Sequence, residues 1–222
     1  MSKTDYAERA SHGELAAAIL TGAGHVAVEL AAGTHSVLGP VHPQHVYNIG
    51  VGIPWAVYLA WRVIVSPGAL RGWGLGGRGF LPALRICAVL GVLCAVPLLV
   101  YGRALSRLPI PGTFWMVAGL YPLWGLAQQF ALQALITRNL RTLVPRLPFR
   151  VLAASAVFSA SHFPNFRLMA LTLVVGCVFV WVFERHRNLW PLGILHGLLG
   201  ALAYYLVLGQ DPGAAILDLV GR

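Results

Sequence analysis

The sequence predicts an all-α fold, a polytopic transmembrane helical bundle of about seven spans, in a single membrane domain over residues 1–222. Three observations carry that expectation. Only 10% of the residues are charged and 58% are hydrophobic, with a mean hydropathy of +0.72, whereas a soluble domain carries about 25% charged residues. Apolar runs long enough to cross a bilayer recur along the chain. The basic residues, 16 against 7 acidic ones, stand singly between those runs and form no stripe or cluster of the kind a nucleic-acid surface needs. The net charge of +9 therefore points to a cytoplasmic membrane face with anionic lipid headgroups as its partner, and to no nucleic acid.

Each span follows from the apolar runs and their punctuation. Residues 1–13 are polar and are expected on the cytoplasmic side. The run 15–32 is interrupted by His25 and Glu29, four apart and so on one helix face; it is either a span with one polar edge or a helix lying in the interface. The linker with His35, Pro40, His42, Pro43 and His45 has no Lys or Arg and reads as a short outer loop. A second span covers about 46–65. The loop 66–85 contains Gly74-Leu75-Gly76-Gly77-Arg78-Gly79, a formal match to the dinucleotide pattern that lacks the strand and the acidic residue the pattern requires; it reads as a flexible basic loop at the headgroups. The third span, about 86–101, is interrupted by Pro97. The fourth, about 113–137, carries Gln128, Gln129 and Gln133. The fifth, about 151–163, is rich in Ala and Ser, which allow close helix packing, and delivers His162 before Pro164. The sixth covers 168–183. The seventh, 189–208, holds His196 inside Gly193-Ile194-Leu195-His196-Gly197, a frame that lets another helix come near the imidazole.

With the N-terminus inside, twelve of the 16 basic residues fall on the cytoplasmic side; Arg103, Arg107, Arg167 and Arg222 fall opposite. The expected location is an integral membrane protein of a bacterial-type cytoplasmic membrane. Cys87, Cys94 and Cys177 form neither a disulfide framework nor a Cys-x-x-Cys site and read as small buried apolar residues. The N-terminus shows no cleavable signal peptide pattern.

The polar residues inside the apolar runs select the candidate site. An amide without partners in hydrocarbon costs about 4–8 kcal/mol, so Gln128, Gln129 and Gln133 are expected to face protein groups or trapped water, with His162 and His196 as natural partners. No carboxylate occurs between Glu29 and Glu184. Within the core only an imidazole can take a proton from water, and an intramembrane ionisable residue is a functional candidate by default. Two core histidines fall short of the three ligands a zinc site requires; no metal and no cofactor are expected.

These residues also carry a resemblance. The segment from about Trp115 to Tyr205 resembles the CPBP family of intramembrane proteases, the CAAX-protease and bacteriocin-processing group that includes type II CAAX prenyl endopeptidases. Phe158-Ser159-Ala160-Ser161-His162 matches that family's Phe-x-x-x-His motif in full. His196 matches the first place of its His-x-x-x-Asn/Asp motif, with Gly200 in the last, and Asn188-Leu189-Trp190-Pro191 fits the usual lead-in. Where the family has Glu-Glu-x-x-x-Arg, this chain has Gln128-Gln129-Phe130-Ala131-Leu132-Gln133. The resemblance places a CPBP-like core at 113–208. It implies hydrolysis of a membrane-associated, hydrophobic or lipidated peptide, with His162, His196, Gln128 and Gln129 in the catalytic places and Gln133 and Phe158 in substrate-binding ones. The three glutamines exchange two anions and a cation for neutral amides as a unit. That exchange supports an alternative, a catalytically inactive relative that binds such a peptide in an immunity, chaperone or scaffold role. A carrier or channel using His25 and Glu29 is weaker, since no internal repeat is present.

Overall fold

The computed structural model describes residues 11–32 and 43–220. The chain runs α1 His12–Ala32, α2 Pro43–Val65, α3 Ala69–Gly72, α4 Phe80–Ala104 and α5 Thr113–Gln129. The last of these winds on as a π-helix, Phe130–Thr137 (π1), into a 3₁₀ turn, Asn139–Arg141. There follow α6 Leu147–Ala160, α7 Phe166–His186, α8 Trp190–Ala203 with its π-helical end Tyr204–Leu208 (π2), and α9 Pro212–Val220. Among the described residues five helices are long and apolar enough to cross a bilayer; α5 with π1 and the shorter apolar α6 complete the expected all-α, polytopic set. The outer linker with His35 and His42 lies outside the described residues, as does most of the polar 1–13 segment.

The helices sort into two compact units, Met1–Gly76 with Ala131–Glu184 and Gly77–Phe130 with Arg185–Arg222. In the first unit, Leu15, Leu132, Ile136, Leu140, Ala154, Phe158 and Val180 form one apolar cluster, so α1, π1, α6 and α7 share a core. Two buried carboxylates flank it. Glu14, in the first turn of α1, accepts from Arg138 Nη2, from Asn139 Nδ2 at 3.0 Å and from the Tyr58 hydroxyl at 2.7 Å, and Arg62 lies 3.7 Å away. Glu184, near the end of α7, accepts from Arg141 at 3.0 Å and Arg150 at 2.9 Å. The 3₁₀ turn is thus the clamp between them, since Arg138 precedes it and Arg141 ends it.

In the second unit α5 and α8 cross on glycine. A Cβ on Gly125 would lie 2.5 Å from the Gly193 carbonyl oxygen and 2.5 Å from Gly197 N, and one on Gly197 would lie 2.5 Å from Pro122 Cα. Backbone meets backbone, so no side chain fits at either place. Below the crossing, Val117, Ala201 and Tyr205 form a second apolar cluster. Asp211 caps α9 by accepting the Ala214 N–H at 2.9 Å, and also takes the hydroxyls of Thr113 and Tyr205, each at 2.8 Å.

The structure corrects several expectations. The third span begins at Phe80, not 86, because Arg85 is an exposed residue in the body of α4 and its long stem can carry the charge outward. The 66–85 loop is built rather than flexible: it contains α3, buries Trp73 to 1% exposure, and packs Gly79 on the His186 carbonyl so closely that a Cβ there would lie 1.9 Å from its oxygen, at φ +72°. The fifth span starts at Leu147 and ends at Ala160, which puts His162 in the turn after it. Glu14 and its partners Arg62 and Arg138 are buried, as is Arg150 beside Glu184, so these arginines, expected to mark a membrane face, serve carboxylates within the protein.

Candidate functional site

His162 is positioned by the end of α6. The last carbonyls of a helix lack intrahelical donors, and that of Phe158 is taken by two side chains that follow, the Ser161 hydroxyl at 2.7 Å and His162 Nδ1 at 2.9 Å. The Phe158 ring meets the imidazole edge to face with centroids 4.9 Å apart. The Phe-x-x-x-His spacing thereby has a local cause: one residue supplies the carbonyl that fixes the tautomer and the ring that fixes the plane. Because a carbonyl only accepts, Nδ1 carries the proton and the lone pair of the neutral ring sits on Nε2. Phe158 itself is 7% exposed and belongs to the core cluster.

Gln133 lies in the same unit as His162, wholly buried on π1. Every residue from Leu132 to Thr137 is buried there, and the wider winding shows in the bond from Arg138 N–H to the Gln133 carbonyl, five residues back, at 3.0 Å. Single π-helical turns inside α-helices are frequent at functional sites.

The second unit holds the other histidine. Gln129, at the end of α5 and 0% exposed, places its Nε2 2.8 Å from His196 Nδ1. An amide N–H donating to Nδ1 leaves the proton of the neutral ring on Nε2, opposite to the His162 tautomer. The glycine crossing makes this pairing possible, because Gly193 and Gly197, flanking His196 in sequence, admit α5 at backbone distance. Asn188, buried at 0%, starts α8 by accepting the Trp190 N–H at 3.1 Å and donates to the Arg78 carbonyl at 3.0 Å. Gly200 packs on the Tyr121 ring, its Cβ position 3.4 Å from Cδ1. Gln128 is half-buried and makes no hydrogen bond among the described residues.

Sequence reasoning paired Gln129 with an imidazole and missed the buried carboxylates. Ser11-His12-Gly13-Glu14 has the Ser-x-x-Glu form of a capping box ahead of an apolar run, and that was the available signal. Ser11 Oγ does accept the Glu14 N–H at 3.2 Å, while the Ser11 N–H goes to Asn139 Oδ1 at 2.8 Å. Glu14 is thereby freed to meet Arg138. Among the described residues no three His, Cys, Asp or Glu side chains group as a metal site.

Residues 110–202 match the family described as type II CAAX prenyl endopeptidase Rce1-like. No curated protein and no solved structure matches the chain.

Proposed function

From the chain's membership of the CPBP family of intramembrane proteases, carried by residues 110–202, we propose that it is a peptidase which hydrolyses a hydrophobic or lipidated peptide at the membrane. The cytoplasmic membrane of a bacterial-type cell, with the N-terminus inside, is its proposed setting. The observation that supports the reading is the His162 tautomer: with Nδ1 committed to the Phe158 carbonyl, Nε2 is available to take a proton from water as water attacks the peptide carbonyl. His196, its Nδ1 occupied by Gln129, has an N–H on Nε2 suited to a developing oxyanion. Gln128 and Gln133 serve as neutral donors in the places where the family carries charge, and Phe158 acts through His162 and the wall beneath the peptide. The test is cleavage of hydrophobic and prenylated peptides by the purified chain. His162→Ala should lower the rate about 10²–10⁴-fold; no cleavage, or cleavage unchanged in that variant, rejects the reading.

The neutral character of Gln129 and Gln133, both 0% exposed, favours a second reading, a binder of the same peptide without turnover. It predicts binding that weakens in His162→Ala. Under it, peptidase activity should emerge only when Gln128→Glu, Gln129→Glu and Gln133→Arg are combined.

A further inference from the structure

The arginines of the two units are placed differently. In the first unit Arg62, Arg138, Arg141 and Arg150 meet Glu14 or Glu184. In the second, basic residues gather where the chain supplies no acid. The start of α4 and the start of α8 lie together at one corner of that unit: Asn188 donates to the Arg78 carbonyl at 3.0 Å, and Gly79, the residue before α4, packs on the His186 carbonyl. These contacts bring residues 77–86 against residues 185–190, which together contain Arg78, Arg85, Arg185, His186 and Arg187 and no Asp or Glu. The carboxylates of the unit, Asp211 and Asp218, follow the far end of α8 and π2. Glu184, next to Arg185 in sequence, accepts from Arg141 and Arg150.

Arg78, Arg85 and Arg185 are exposed. Arg85 stands one turn after Leu81 on the same face of α4, and the Cα–Cβ bonds of a helix tilt toward its N-terminus, so its stem leans back toward the Arg78 end. Apolar side chains border the cations directly. Phe80, Leu81 and Leu84 of α4 and Trp190 of α8 are all exposed, and beyond them α4 continues as an apolar span. Guanidinium groups on one side and apolar side chains with a tryptophan on the other match the boundary a bilayer presents between its headgroups and its hydrocarbon. The partner that complements both sides must carry an anion beside apolar chains. A phospholipid with a net negative headgroup does so. A soluble anion leaves the apolar border unused, and a zwitterionic lipid offers no net charge to the arginines.

We propose that this corner is a binding site for an anionic phospholipid, whose phosphate takes Arg78, Arg85 and Arg185 while its acyl chains lie on Leu81, Leu84 and Trp190. Guanidinium groups suit a phosphate because each can donate two parallel N–H bonds to its oxygens. The corner also begins α8, so the bound headgroup braces one end of the helix that carries His196. Lipid held here is independent of whether the chain cleaves peptides.

The test is binding to the full chain in a nonionic detergent, read by native mass spectrometry and by the thermal midpoint. The probes are short-chain phosphatidylglycerol, phosphatidylcholine of the same chain length, inorganic phosphate and an acidic peptide. Phosphatidylglycerol should bind saturably and about tenfold or more tightly than phosphatidylcholine, and added salt should weaken it. Arg78→Gln, Arg85→Gln and Arg185→Gln should each weaken that binding about fivefold, and together about a hundredfold. Arg103→Gln, exposed at the other end of α4, should leave it unchanged. Each single variant decides by itself, so a triple variant that fails to fold alters nothing. Equal binding of the two lipids, or single variants that bind phosphatidylglycerol as the wild type does, overturns the proposal. Inorganic phosphate or the acidic peptide binding as tightly as phosphatidylglycerol at the same arginines assigns the corner to a soluble anion and overturns it as well.

Discussion

The chain treats charge in two opposite ways. Around Glu14 and Glu184 it buries carboxylates among guanidinium groups, with Arg138 3% and Glu14 2% exposed at the side chain. At Gln129, 0% exposed, and the half-buried His196 it uses an amide against a neutral ring. Burying an ion requires several close partners, because the desolvation cost is large and only good geometry recovers it. Glu14 meets that demand with Arg138, Arg62, Asn139 and Tyr58. The glutamines therefore do not reflect an inability of this protein to hold an anion in its interior. The neutral pairing belongs to the candidate site, where under the proposed function proton chemistry falls to the histidines.

That contrast can be broken from the charged side first. Glu14→Ala leaves two guanidinium groups buried without their carboxylate and should cost about 3–5 kcal/mol, read as loss of folded protein or a large fall in the thermal midpoint. Glu184→Gln should cost less, about 1–3 kcal/mol, because Arg141 is 34% exposed and can turn to water. On the neutral side Gln129→Leu removes the hydrogen bond to His196 and no charge, so a loss of about 1 kcal/mol is expected. A fall as large as that of Glu14→Ala would show that the amide pairing is not the milder arrangement it looks. The smallest effect concerns Asp211, a carboxylate held without arginine. The Ala214 N–H, and after it the Tyr205 and Thr113 hydroxyls, keep its pKa below the ordinary carboxylate value. A depressed folded pKa gives stability that is complete above about pH 3.9 and is lost as the pH falls through the lower folded value. Asp211→Asn should flatten the thermal midpoint against pH in that acid window and leave it unchanged in slope near neutrality.

What could be read from the sequence follows the same division. Hydropathy located the spans because apolar length is a one-dimensional property. The Gly193-x-x-x-Gly197 frame announced a close crossing because only glycine permits one. The Gln129 partner was legible for a similar reason, since a buried amide needs a donor or acceptor and few exist in this core. The arginine clusters were not legible in the same way. Arg138 and Glu14 are 124 residues apart, and no local pattern distinguishes an arginine that faces headgroups from one that reaches a distant carboxylate. Helix ends differ from the sequence expectation where a charge lies within a helix, as Arg85 does in α4, and where a helix ends before the proline that follows it, as α6 does at Ala160 ahead of Pro164.

The separation of Glu14 from its arginine has a meaning for how the protein is made. At about 5–20 residues per second, the ribosome needs about 6–25 s to add the 124 residues from Glu14 to Arg138. During that interval the carboxylate has neither Arg138 nor Asn139 to receive it. Until then only Tyr58 and Arg62 of its partners have been made, so the first helix can complete its contacts only after Arg138 and Asn139 emerge. Biogenesis of this unit is therefore completed late in translation, whatever the order in which its helices enter the lipid.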